Sequence, residues 1–159
     1  MADSSIGLPL DGPGKLLDAE KVSRGGVDYY RERDTILVAA NPVRDPLMAA
    51  ALAAGASVDL DASTIAVAKT GKLVEVFVAS SVACKWIVKT RDGGIELTLG
   101  VLFTGGLTGD PNDSFQPPDK GFCTLLGNGV DENFRVTVTN LDARFAADVY
   151  ATVFWDEVP

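Results

Sequence analysis

The 159-residue sequence contains no histidine. Histidine is the general base of Ser-His-Asp and Cys-His nucleophilic sites, a ligand in most zinc sites and the side chain that titrates near neutral pH. Its absence excludes those sites from this chain. Because the remaining residues offer no catalytic, cofactor-binding or metal-binding set, the sequence predicts a protein that is not an enzyme and needs no cofactor.

Basic residues are also scarce, since 14 Lys and Arg stand against 22 Asp and Glu and give a net charge of −8. An acidic surface lacks the basic stripe that binds nucleic acid or an anionic membrane, so we expect neither as a partner. No apolar run approaches the roughly 18 residues that cross a bilayer. The first residues lack the basic and apolar regions of a secretory signal, so we expect assembly in a cytoplasm.

Cysteine is rare as well, with Cys84 and Cys123 as the two examples. Two cysteines are too few for a disulfide scaffold, and both lie in apolar runs typical of strands. We therefore expect two free, buried thiols that behave as small hydrophobic side chains.

Most of the chain has the alternating pattern of β-strands. From residue 58 onward apolar residues recur with a period of two, and Asp92-Gly93-Gly94 is typical of a tight hairpin turn. Strands are predicted near residues 73–78, 84–89, 95–103, 122–126, 134–139 and 149–155, with the odd-numbered residues of 95–103 on one face. Many short strands without crossover helices indicate a mainly β fold, an antiparallel, jelly-roll-like β-sandwich.

The first third of the chain differs from the rest. Residues 1–56 are predicted to form an extended N-terminal arm, with a strand over residues 27–38, and residues 57–159 the sandwich domain. One short helix is predicted over residues 47–54 (LMAAALAA), because Ala, Leu and Met are strong helix formers and Gly55 follows.

The last predicted strand is apolar on both faces, with Tyr150 and Phe154 on one and Val153 and Trp155 on the other. One face should pack into the core, and the other against a neighbouring subunit or against the N-terminal arm. In the arm, leucines and tyrosines are spread along a segment that cannot fold alone, which suggests that it anchors to a partner. The candidate interface residues are Leu16, Leu17, Tyr29, Tyr30, Tyr150, Phe154 and Trp155.

Other groupings have two interpretations each. Trp86 and Trp155 could stack on sugars, but their strand positions favour the core. Asp59 and Asp61 would share a strand face and could act as an acid and base, although a solvated face is favoured. Residues 104–121 form a long Gly-, Pro- and Asp-rich loop. Its oxygen-bearing residues are interpreted as turn formers more readily than as calcium ligands: Asp110, Asn112, Asp113 and Asp119.

Two segments resemble a known family. Residues 11–33 (DGPGKLLDAEKVSRGGVDYYRER) resemble the start of many small virion proteins of tailed bacteriophages, in which a glycine-containing leader precedes a strand of the form Gly-Val-x-Tyr-x-Arg. Residues 134–157 (FRVTVTNLDARFAADVYATVFWDE) are similar to the closing strands of β-sandwich modules in phage head-decoration, head-fibre and tail proteins.

The resemblance implies a structural virion protein, assembled in the bacterial host cytoplasm, that decorates or cements the capsid. Its expected partners are itself, as a homotrimer, and the major capsid protein or other virion proteins. The chain has no repeats, which favours a compact cement or adaptor subunit over a fibre. The alternatives are a tail or baseplate adaptor that contacts host carbohydrate, and a small carbohydrate-active enzyme that uses the acidic pairs.

Overall fold

The structure, a computed structural model, describes residues 18–24, 27–33, 40–118 and 123–159. The chain divides into two compact units, residues 1–38 and 39–159. In the first unit, β1 (Asp18–Arg24) pairs antiparallel with β2 (Val27–Arg33). The strand predicted over residues 27–38 is confirmed over residues 27–33, and residues 34–38 lie outside the described residues. It is paired with a strand that the sequence did not indicate.

In its described residues, the second unit is built from β-strands, the loops that join them and one 3-10 turn at Gly106–Thr108. Its strands in the described residues are β3 (Asn41–Leu52), β4 (Ser57–Asp61), β5 (Thr70–Ser80), β6 (Ala83–Asp92), β7 (Ile95–Gly105), β8 (Asn112–Phe115), β9 (Thr124–Leu126), β10 (Asn133–Asn140) and β11 (Ala147–Val158). The predicted strands from residue 73 onward are therefore confirmed in type.

The strands pair in a nested order, in which the first strand of the unit pairs with the last, the second with the next to last, and so on inward. β3 pairs with β11, β4 with β10, β5 with β8 and β9, and β6 with β7, all antiparallel. The result is one sheet with the order β3-β11-β5-β8, with β9 also on β5, and a second sheet with the order β4-β10-β6-β7. Two sheets connected in this way form a jelly roll, and the predicted antiparallel β-sandwich is confirmed.

The core lies between the two sheets and is filled by the inward residues of each strand. Trp86, Phe134 and Trp155 are its largest members, and the rings of Phe134 and Trp155 lie 6.0 Å apart between centroids. Seven valines occupy alternating inward positions around them. Burying each such side chain contributes about 1.5–3 kcal/mol, so the core is the main source of stability.

The predicted helix over residues 47–54 is wrong, because this segment belongs to strand β3 and the turn that follows it. Leu47 and Ala49 point toward the core while Met48 and Ala50 are exposed, which is the period of a strand. Pairing with β11 along ten residue positions outweighs a helix preference of at most about 1 kcal/mol per residue. The sandwich therefore begins at Asn41 and not at residue 57.

A second correction concerns the faces of β7. Its pairing with β6 skips Leu99, which forms a β-bulge. Leu97 lies opposite the buried Thr90, whereas Val101 lies opposite Ile87 on the outward side of the sheet. The odd-numbered residues of β7 therefore do not share one face, because the extra residue reverses the alternation.

Candidate interaction surface

The outward face of the β3-β11-β5 sheet forms a regular array of side chains. Tyr150, Thr152 and Phe154 point outward from β11, and each lies between one residue of β3 and one of β5. The rows, read from β3 to β5, are Met48, Tyr150 and Ala79; Pro46, Thr152 and Phe77; and Arg44, Phe154 and Glu75. We call these nine residues the apolar face.

Large apolar side chains are exposed on this face. Met48 is 64% exposed, Tyr150 52% and Phe77 41%. Contiguous exposed apolar residues on one sheet face commonly mark a site of contact with another molecule. The apolar face, which has such residues on each of its three strands, is therefore the candidate surface; Val101 and Phe103, 47% and 60% exposed, form a smaller apolar pair on the outward side of β7.

Charged groups of opposite sign flank the apolar face at one end. Arg44 on β3 places its guanidinium carbon 5.9 Å from the centroid of the Phe154 ring. On the other side of Phe154, Glu75 accepts a hydrogen bond of 3.1 Å from the side-chain amide of Gln116. One row thus presents a cation, an aromatic ring and an anion in order across three strands.

The structure places the predicted interface residues in different environments. Tyr150 and Phe154 share the outward face, as predicted. Trp155 does not, because the alternation turns its ring into the core, where it is 1% exposed. Tyr29 and Tyr30 lie on β2 opposite Val22 and Lys21. The remaining two candidates, Leu16 and Leu17, lie outside the described residues.

The acidic pair Asp59 and Asp61 does share one strand face, but an arginine on β10 binds both carboxylates. Arg135 donates from Nε and Nη2 to the two oxygens of Asp61 at 2.6 and 2.8 Å, and from Nη1 to Asp59 at 3.2 Å. Its Nη1 also donates to Glu96 on β7, which pairs with Lys89 at 2.7 Å. These residues form an ion-pair network across the outward face of the second sheet.

The network shifts a carboxyl pKa in the direction opposite to the one that an acid catalyst needs. Hydrogen bonds from Arg135 hold the pKa of Asp61 below its ordinary value. A general acid near neutral pH needs its carboxyl pKa raised by burial or by a like charge. The geometry therefore favours the interpretation of this pair as part of a solvated, charge-paired sheet face.

The predicted loop of residues 104–121 is more regular than expected. Its described part, residues 104–118, contains the end of β7, the 3-10 turn and β8, and the amide of Gly105 donates to the carbonyl of Asp110. Asn112 and Asp113 lie on β8, where Asp113 accepts a hydrogen bond from the amide of Ser114. Asp119 lies outside the described residues. Within the part of the chain that the structure describes, no cluster of three acidic, Cys or His side chains could hold a metal ion.

Trp86 and Trp155 are both buried in the core, which confirms the favoured interpretation over a sugar-stacking platform. The indole N–H of Trp86 donates to the Thr104 hydroxyl at 3.0 Å, and that hydroxyl is bonded to Ser80, which in turn donates to the carbonyl of Val82 at 2.7 Å. This buried chain of hydrogen bonds was missed at the level of sequence, because its members come from different strands.

Cys84 and Cys123 are free and buried, as expected. Burial raises the pKa of both thiols, so they are poor nucleophiles at neutral pH. Neither a family model nor a curated sequence matches this chain. Among the described residues, no helix has the length and apolarity to span a membrane.

Proposed function

We propose that this chain is a structural virion protein of a tailed bacteriophage, which decorates or cements the capsid as a symmetric oligomer. The apolar face carries the proposal, because a protein that works alone in water gains nothing from exposing Met48, Phe77 and Tyr150 side by side. Jelly rolls recur in viral capsid domains, which agrees with the resemblance of the two end segments.

The remaining surfaces support a role without catalysis. The acidic pair of the second sheet is bound by Arg135, and the two thiols are buried in the core. Stable, charge-paired surfaces suit a subunit that is held by its neighbours on a particle.

We assign attachment to the N-terminal unit. Residues 1–38 form a unit separate from the sandwich, and their sequence spreads leucines and tyrosines over a segment with little apolar surface of its own. Packing these side chains against the major capsid protein would compensate the entropy of ordering the segment. Deletion of residues 1–38 should abolish binding to particles and leave a folded sandwich, since the second unit has its own core.

Copy number per particle tests the proposal most directly. Quantitative mass spectrometry of separated heads and tails should find hundreds of copies on the head. A few to a dozen copies on the tail would instead support the tail or baseplate adaptor, and a glycan-binding screen would then test for host carbohydrate. Absence from purified particles would overturn both virion roles. Glycan hydrolysis that is lost on Asp59→Asn or Asp61→Asn substitution would support the enzyme alternative.

A further inference from the structure

We propose that the apolar face binds the same face of a second copy of this chain, in a two-fold pair whose β11 strands run parallel. The inference deepens the symmetric oligomer of the proposed function and rests on that part of it. Its test uses purified protein in solution, whereas the virion role is tested on particles, so the two can fail separately.

The two outward faces of the sandwich contrast in chemistry. The β4-β10-β6-β7 sheet carries the ion-pair network around Arg135, as expected of a face that stays in water. The apolar face carries three aromatic residues and a methionine, which are residue types enriched at interfaces. Its charges lie in one end row, and the next row along the same strands, Pro42, Asp156 and Lys72, holds one charge of each sign. The second sheet thus combines this ion-pair network with the exposed Val101 and Phe103 on β7, whereas the apolar face has large apolar residues on each of its three strands.

The arrangement of charges fits a second copy of the same face. A two-fold axis that passes over Thr152 and runs along β11 places β3 of one copy over β5 of the other. Arg44 then faces the partner's Glu75, and Glu75 faces the partner's Arg44. The pair thus gains two symmetric ion pairs that enclose the Phe154 rings at its centre.

Side-chain sizes agree with this registration. The same axis places Met48, the bulkiest apolar residue of β3 in the array, over the partner's Ala79. Pro46 lies over the partner's Phe77, and a flat ring against an aromatic ring is a favourable contact. On the flanking strands large residues thus meet small or flat ones, whereas along β11 Tyr150 and Phe154 each meet the same residue of the partner as aromatic pairs.

The other face-to-face symmetry is less favourable. A two-fold axis that runs across the strands places β3 over the partner's β3, so that Arg44 would face the partner's Met48 and Glu75 the partner's Ala79. Both charges would then be buried without an opposite charge, which is costly. The charges therefore select the pair with parallel β11 strands.

The size of the contact depends on the full length of the three strands. β3 and β11 each have 12 residues and β5 has 11. At about 3.3 Å per residue and about 4.8 Å between strands, the three strands cover about 600 Å² in projection, and the apolar face covers about 240 Å² of it. A standard interface, with roughly 800 Å² from each partner, would therefore extend beyond the apolar face to the ends of these strands.

Charge reversal tests the registration. The Arg44→Glu and Glu75→Arg variants of the full chain should each dimerise at least tenfold more weakly in sedimentation analysis, because each puts like charges in contact twice. Mixing the two variants should restore association as a heterodimer, since both contacts would then join a carboxylate of one variant to a guanidinium of the other. The double variant should also recover. Restoration by mixing shows that both variants are folded. Lys85→Glu, on the outward face of the other sheet, is the matched control and should leave association unchanged.

Several outcomes would overturn the pair. A monomeric native protein, or an odd number of copies such as the trimer expected from the sequence, is incompatible with pairing of every apolar face. Weakened association of the single variants without recovery on mixing would refute the parallel registration. If deletion of residues 1–38 converts a native monomer into a dimer, the N-terminal unit covers the face instead. An even-numbered assembly with recovery on mixing supports the proposal.

Discussion

Replacement of Thr104 by valine tests the buried hydrogen-bond chain that joins the indole of Trp86 to the hydroxyl of Ser80. Thr104 is 3% exposed, and its hydroxyl accepts the indole N–H at 3.0 Å. Valine keeps the shape of the side chain but removes this acceptor. The indole N–H would then be buried without a partner, which costs about 1–3 kcal/mol.

Thr104→Ser is the matched control, because serine keeps the hydroxyl and removes only the methyl group. Loss of one buried methyl costs about 1 kcal/mol. Urea unfolding at one fixed protein concentration, followed by tryptophan fluorescence, gives the free energy of unfolding of each variant. We expect valine to be the more destabilising substitution, by up to about 2 kcal/mol.

The hydrogen-bond chain also predicts coupling between its members. Because Ser80 is bonded to Thr104, the Ser80→Ala and Thr104→Val substitutions should cost less together than the sum of the two alone. If the valine variant is as stable as the serine variant, or if the two substitutions are additive, the hydroxyl of Thr104 does not stabilise the core through this hydrogen-bond chain.

Three further predictions concern other parts of the sandwich. Gly106→Ala should lower the free energy of unfolding by well over 1 kcal/mol, because φ is +70° and an added Cβ would lie 2.5 Å from neighbouring backbone. Gly55→Ala is the control for the backbone angle alone, since Gly55 has φ +73° with open space around it, and this substitution should cost about 1 kcal/mol. The free energy of unfolding should fall as the pH drops below about 3.8. The arginine that binds Asp61 lowers the pKa of this carboxyl in the folded state, so protonation at lower pH removes the stabilisation that the ion pair provides. Asp61→Asn should flatten this acid dependence in urea titrations from about pH 2 to 6. Leu47→Asp should destabilise the fold by about 2–5 kcal/mol, because Leu47 points toward the core. Met48→Asp should change thermal stability little when both variants are monomeric and compared at the same protein concentration. Equal effects of the two substitutions would contradict the assignment of this segment to a strand.

The sequence was informative wherever local pattern and final structure agree. The alternation around Trp86, Phe134 and Val153 reflects burial on one side of a sheet, so it predicted both the strands and their inward residues. The alternation in β11 also separates Tyr150 and Phe154 from the core. The interface prediction for Trp155 contradicts the same alternation, which places this residue on the inward side with Val153.

The features that were not predicted depend on which strands become neighbours. Residues 47–54 have helix-forming composition, and pairing with β11, about a hundred positions later, makes them a strand. The contact of Arg135 with Asp61 requires β10 to lie beside β4, an order that no local pattern specifies. The bulge at Leu99 is likewise set by its partner strand.

The nested pairing also constrains when the protein can fold during its synthesis. β11 lies in the middle of its sheet, between β3 and β5, yet it is the last strand of the unit to be translated. The β6-β7 hairpin, with Gly93 and Gly94 at its turn, can form as soon as it leaves the ribosome, on a microsecond timescale. β3 must wait for its partner, with its apolar inner face uncovered, until the end of the unit emerges, whereas β5 can pair earlier with β8 and β9 on its other side. Folding dominated by such distant pairings is slow, so the nascent chain passes through an aggregation-prone interval that ends when β11 inserts between its two neighbours.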